Sequence, residues 1–147
     1  MVAFTMPSFA EFKEITQADE PLAPLTWLRI GGPAQYFVRP RSMDEAMGVV
    51  SACAAEGIEV RVLGGGSNLL VRDEGVSGCV LRFDHPAFGD VRIDGNRVIA
   101  GSGALLSNVI SHSVKEGLAG LDTLVGIPGT IGGALHGNSG GRSGDIG

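Results

Sequence analysis

Apolar positions fall at helical spacing in two stretches of the chain and in short blocks elsewhere. Met43, Ala46, Met47, Val50 and Ala54 recur at i, i+3, i+4, i+7 and i+11, behind a Ser42 and Glu45 pair with capping-box spacing and ahead of Gly57. The spacing predicts an α-helix whose apolar stripe, methionines included, packs into a core. Leu106, Val109, Ile110 and Val114 predict a second helix closed by Gly117, with His112 on its polar side as a surface residue. A short helix is expected near the start, where Ser8 and Glu11 repeat the capping spacing and Phe9, Phe12 and Ile15 share a face.

The blocks read as strands. Gln35 to Arg39, Glu59 to Leu63, Leu69 to Val71 and Cys79 to Phe83 give the first part the order β, α, β, loop, β. Val91 to Ile93 and Arg97 to Ala100 flank Asp94, Gly95 and Asn96, a strong hairpin signal. Pro21 to Pro33 reads as an extended or turning segment, and His85 and Pro86 break the pattern again. A subdomain boundary is therefore expected near Asp84 to Gly89, dividing 1–84 from 85–147. The tail from Gly126 onward is rich in glycine and reads either as a flexible end or as a folded loop. Ile127, Ile131, Ala134 and Leu135 within it favour the loop, because a free linker has no use for them.

Composition changes this picture in one respect. The chain has 24 glycines among 147 residues, roughly twice the usual ~7%. They gather in loops with no periodic repeat, as for many tight turns or for a large ligand held by main-chain groups. The net charge of −5 and a pI near 5.1, with no block of Lys and Arg, exclude a nucleic-acid binder of the usual basic kind. They do not exclude an anionic ligand, because oriented N–H groups supply positive potential without lysines. Cys53 and Cys79 sit in helix and strand patterns and read as small core residues of a reduced compartment, a disulfide between them being the alternative. Met1 to Phe12 lacks the basic patch and apolar run of a secretory signal, and no stretch approaches the roughly 20 apolar residues of a membrane span, so a cytoplasmic protein is expected.

Candidate chemistry lies in two glycine-rich loops. Neither carries the Lys and Ser or Thr of a P-loop, and Gly101, Ser102, Gly103 fails the dinucleotide fingerprint because Leu106 stands at the third glycine. Gly64, Gly65, Gly66, Ser67 and Asn68 fit another device, in which successive main-chain N–H groups turn toward a diphosphate and two side chains add donors. Gly126 to Ala134 turns at Pro128 and Gly129 and then begins a helix, whose first N–H groups are expected to be free for a phosphate or an electron-rich ring edge.

The segments PLTWLRIGG at 24–32, VLGGGSNLLV at 62–71 and GLAGLDTLVGIPGTIGGA at 117–134, with Asn138, resemble the UDP-N-acetylenolpyruvoylglucosamine reductase family in order and spacing. The resemblance implies the FAD-binding fold of the vanillyl alcohol oxidase (PCMH) type, with non-covalent FAD between two α+β subdomains. It places the FAD pyrophosphate on Gly64, Gly65, Gly66, Ser67 and Asn68. Ile127, Pro128, Gly129, Thr130 and Gly133 would line the flavin and its ribityl chain, with Thr26, Arg29, Gly103 and Asn138 as secondary contacts. NADPH would be the hydride donor and UDP-N-acetylglucosamine enolpyruvate the acceptor, giving UDP-N-acetylmuramate for peptidoglycan synthesis.

The family's catalytic arginine, in a Tyr-Arg-x-Ser stretch, and its serine and glutamate would lie beyond Gly147. No catalytic residue is therefore assigned, the second subdomain is expected to be incomplete, and the substrate domain is not among these residues. Gly140 to Gly144 departs from the family's Gly-Ala-Tyr-Gly, with Arg142 where an aromatic is usual. The other readings are an FAD-linked oxidase of the same fold and a flavin-binding module without catalysis.

Overall fold

The computed structural model describes residues 9–142 and 144–147. They form two compact units: residues up to Val62 with Leu69–Arg82, and Leu63–Asn68 with Phe83–Gly147.

The first unit is built on a four-stranded sheet in the order β1 (Thr16–Pro21), β2 (Pro33–Val38), β4 (Val76–Arg82), β3 (Val60–Leu63). β2 runs antiparallel to β1 and parallel to β4. The two central strands carry the buried Ala34, Tyr36, Phe37 and Val38 and the buried Cys79, Val80 and Leu81, as strands covered on both faces should. β1 has no apolar alternation to announce it. It joins the edge by main-chain pairing, Thr16 opposite Val38 through Pro21 opposite Pro33, and leaves Gln17, Ala18 and Asp19 in water.

Leu69 to Val71, expected as a strand, lies outside the sheet, and Leu69 and Leu70 are exposed. A short apolar run has no period of its own, so the pattern does not separate strand from loop. What holds this segment is the Gly31–Gly32 bend. The Gly32 N–H donates to the Arg72 carbonyl at 2.8 Å, and the backbones approach so closely that a Cβ on Gly32 would stand 2.2 Å from the Asp73 oxygen.

Helix α1 spans Met43–Ala55, with the Ser42 hydroxyl accepting from the Glu45 N–H as the capping box requires. Its buried face is Ala46, Val49 and Cys53. Met43 and Met47, read as core from the sequence, are 62% and 55% exposed. The inward positions are the small ones, including Gly48, where a Cβ would meet the Phe12 ring at 2.4 Å. The helix turns its compact side inward and leaves the long side chains outside. Cys53 and Cys79 are both buried free thiols facing each other, and burial pushes Cys79 up to about 12. Ahead of β1, Phe9–Ile15 forms a 3-10 helix with Ile15 buried. The expected Ser8 cap and the Phe9 side chain lie outside the described residues.

In the second unit β5 (Val91–Asp94) and β6 (Arg97–Ala100) form the expected hairpin, with Gly95 at φ +57° in its two-residue turn. Helix α2 (Leu106–Lys115) buries Leu106, Val109 and Ser113. Val114, expected on that face, is exposed, and Ser113 takes an inward place because its hydroxyl donates to the Val109 carbonyl at 2.9 Å. His112 is exposed, as expected. Leu106, Leu124 and Ala134 centre the core, with Ile110, Leu121, Ile127, Ile131 and Ile146 against them. Ile146 therefore ties the glycine-rich tail to the fold. Between it and helix α3 (Ile131–His136), β7 (Gly140–Gly141) pairs with β8 (Gly144–Asp145). No helix among the described residues is long and apolar enough to cross a membrane.

Candidate functional site

Leaving β3 at the buried Leu63, the chain turns through Gly64, Gly65, Gly66, Ser67 and Asn68, with Gly66 at φ +67°. No main-chain carbonyl among the described residues accepts from the N–H of any of these five residues. Groups of that kind seldom stay without a partner unless water or a ligand meets them. A run of them makes a concavity for an anion.

The glycines serve a second purpose that the sequence did not show. A Cβ on Gly64 would lie 2.9 Å from Thr130 Oγ1, and one on Gly65 would lie 3.0 Å from Gly129 Cα. The two glycine-rich loops thus lie backbone against backbone, and the Ser67 hydroxyl donates to the Pro128 carbonyl at 3.3 Å to join them.

The second loop corrects an expectation. The first N–H groups of α3 are not free: Ile131 donates to Ala104 O at 2.9 Å, Gly132 to Ser102 O at 2.8 Å and Gly133 to Thr130 Oγ1 at 3.3 Å. Leu106 N–H in turn donates to Gly129 O at 3.0 Å. Counting free donors at a helix start assumes that no neighbouring loop reaches them, and here residues 102–104 do. Thr130 caps α3, and the N–H groups of Gly126, Gly129, Thr130 and Gly133 in this loop meet no main-chain carbonyl among the described residues, that of Gly133 being taken by the Thr130 hydroxyl.

The structure therefore brings Gly64–Asn68 together with Pro128, Gly129, Thr130 and Gly133, whose Cα lies 3.7 Å from the position of a Cβ on Gly64. Ile127 is half-buried against the unit's core. Gly103 packs under Phe83 O and gives its N–H to Phe88 O at 2.9 Å. Asn138, at φ +44°, is exposed beyond the end of α3. Thr26 and Arg29 belong to the first unit, where Thr26 is buried with its hydroxyl on Ala23 O at 3.2 Å and Arg29 is exposed at φ +53°. Sequence reasoning passed over Ser102 and Ala104, whose carbonyls anchor α3. The partial fingerprint at Gly101 to Gly103 was their only trace.

No ionisable side chain occurs in 64–68 or 126–133, so the donors are neutral N–H and hydroxyl groups. Among the described residues there is no cluster of three His, Cys, Asp or Glu for a metal. Such a set suits a ligand with several anionic oxygens, of which a diphosphate is the plainest case.

Known proteins of similar sequence and structure agree with this chemistry. Residues 34–147 match the family described as "FAD binding domain". The chain is 41% identical over 133 residues to UDP-N-acetylenolpyruvoylglucosamine reductase from Rhodopirellula baltica, across 90% of this chain and 44% of that protein. It is 46% identical over 128 residues to the protein of the same name from a Bradyrhizobium species, across 87% of this chain and 41% of that one. The crystal structure of the Thermus caldophilus reductase superposes with a TM-score of 0.69 at 35% identity, over 88% of this chain and 44% of that one. A solvent-stable cholesterol oxidase, 23% identical, superposes over 93% of this chain and 27% of its own with a TM-score of 0.70, which shows a shared fold. The chain spans about two-fifths of the length of the two reductase relatives. The resemblance and the fold read from the motifs are borne out.

Proposed function

Because this chain belongs to the family of FAD binding domains, we propose that it is the flavin-holding part of a cytoplasmic reductase that uses NADPH to convert UDP-N-acetylglucosamine enolpyruvate to UDP-N-acetylmuramate in peptidoglycan precursor synthesis. Relatives named for that reductase at 41% and 46% identity support the reading. The observation that carries it is the run of unaccepted N–H groups at Gly64–Asn68, backed by the Pro128–Thr130 segment.

On this reading Gly64, Gly65, Gly66, Ser67 and Asn68 hold the FAD pyrophosphate by neutral donors. Ile127, Pro128, Gly129, Thr130 and Gly133 line the ribityl chain and ring, and Thr26, Arg29, Gly103 and Asn138 are secondary contacts. The subdomains are taken as 1–84 and 85–147, with the Gly64–Asn68 loop packed into the second compact unit. FAD, when bound, supplies a carrier that accepts and returns a hydride at one place, so two substrates use one site in turn. The residues of this chain bind and orient. No acid, base or catalytic arginine is assigned among them.

Titrating the purified chain with FAD tests the cofactor reading, with saturable one-to-one binding and a perturbed visible spectrum as the expected result. A chain that stays colourless sinks the site. The substrate reading is tested in the longer polypeptide by NADPH oxidation, which should require UDP-N-acetylglucosamine enolpyruvate. Oxidation indifferent to that nucleotide sugar would leave a flavoprotein of another function.

A further inference from the structure

The two cysteines of the chain take no part in the glycine-rich loops. Cys53 lies on the inward face of α1 and Cys79 in the central strand β4, both fully buried with free thiols. Far apart in sequence, they are held together by the turn that leads from α1 into β3. Ile58 N–H donates to Cys53 O at 2.8 Å, and Cys79 N–H donates to Glu59 O at 2.9 Å. Two adjacent residues of one turn therefore fix the two cysteine backbones on either side of it. Gly78 lets β4 come this near, since a Cβ there would stand 2.5 Å from the Glu59 carbonyl oxygen. From these anchored positions the two thiols face each other.

A single buried thiol is inert, because the thiolate is the nucleophile and the interior excludes both base and reagent. A facing pair differs in one respect, that each sulfur is the other's reaction partner. The fold brings together two groups that the unfolded chain would have to collect across a loop of roughly 25 residues.

We propose that Cys53 and Cys79 are a redox latch, closing to a disulfide that fastens α1 to β4 when the chain folds in the presence of a low-molecular-weight disulfide such as oxidised glutathione. A thiolate of the opened chain attacks the glutathione disulfide, forming a mixed disulfide and releasing one glutathione. The second protein thiolate displaces the other glutathione, so the sulfur–sulfur bond of the oxidant breaks as that of the protein forms. Two electrons pass from the protein sulfurs to the oxidant, and the two protons lost by the cysteines balance those gained by the two glutathione thiols. In a reducing compartment the pair stays open. The ring closed by the bond contains β3 and the whole of Gly64–Asn68, so the latch restrains the unfolded states of the segment that carries the donor loop. The inference does not depend on flavin, and different measurements read its failure and that of the cofactor reading.

The thiol–disulfide equilibrium of the chain in glutathione buffers tests it, measured in urea and after refolding from urea, with acid quench, alkylation and mass spectrometry as the readout. At one fixed glutathione composition the ratio of bridged to dithiol chain should be about 100-fold higher after refolding than in urea, because the fold that holds the sulfurs together favours their bond. The bridged chain should be lighter by two hydrogens, take up no alkyl group and yield one cross-linked peptide joining positions 53 and 79. A ratio no higher after refolding than in urea overturns the proposal. So do refolded chains that carry glutathione on each cysteine or are bridged to a second chain.

Discussion

Gly64–Asn68 and Gly126–Gly133 are both rich in glycine, and the fold uses them in opposite ways. In the first, five consecutive N–H groups meet no main-chain carbonyl among the described residues. In the second, the donors that begin α3 are taken by Ser102, Ala104 and the Thr130 hydroxyl. On the proposed reading one loop is the receptor surface and the other is the wall behind it, pressed to within 3.0 Å of where a Cβ on Gly65 would stand. Glycine content marks close approach in both cases, and only the hydrogen-bond partners tell a loop that receives a ligand from one that receives another loop.

Substitutions in the two loops should separate along that line. Gly65→Val has the largest expected effect. A branched side chain would collide with Gly129, and overpacking of about 1 to 3 kcal/mol would force the loops apart and weaken FAD binding by up to about 100-fold. Flavin content after purification reads it directly, and a variant as yellow as the parent would contradict the packing argument. Gly66→Ala comes next. It puts a Cβ at φ +67°, which costs about 1 to 2 kcal/mol, and it re-aims the neighbouring N–H groups. We expect roughly tenfold weaker FAD binding with the unit still folded by circular dichroism.

Thr130→Ala acts on the wall. It removes the cap of α3 and should lower the stability of the second unit by about 1 kcal/mol while changing FAD affinity less than Gly66→Ala does. Thermal melts set against flavin titrations show whether stability and affinity part in this way.

A further effect belongs to the first unit and appears only at high pH. Burial raises the Cys79 thiol from its ordinary value near 9 to about 12, so between those pH values the unfolded chain releases a proton that the folded chain keeps. Stability should therefore be level below pH 9 and fall above it, by at most about 1.4 kcal/mol per pH unit from this thiol, with the Cys53 thiol, raised too by its burial, acting in the same direction. Cys79→Ser should flatten that slope in pH-dependent denaturant melts. Neither cysteine should react with a thiol reagent at neutral pH until the protein unfolds.

Much of the fold is written locally and was legible. The α1 cap at Ser42, the hairpin turn at Gly95 and the breaks at His85 and Pro86 are each set by a few adjacent residues. What escaped is set by partners distant in sequence. β1 is a strand because β2 offers it an edge, Met43 and Met47 face water because the small residues of α1 take the inward side, and Leu69 to Val71 follows the bend at Gly31 and Gly32. The site divides the same way. Gly64–Asn68 could be named as donors from their own sequence, but the loss of α3's free N–H groups to residues 102–104 depends on a tertiary contact that no local pattern encodes.

The central claim, that an anionic dinucleotide is gripped by the Gly64–Asn68 main chain, is tested most directly by following backbone amide resonances while FAD is added. The account requires saturable shifts at Gly64 through Asn68, with Ile131, Gly132 and Gly133 little changed because their protons are already engaged. Shifts centred on residues 131–133, with 64–68 unmoved, would contradict it.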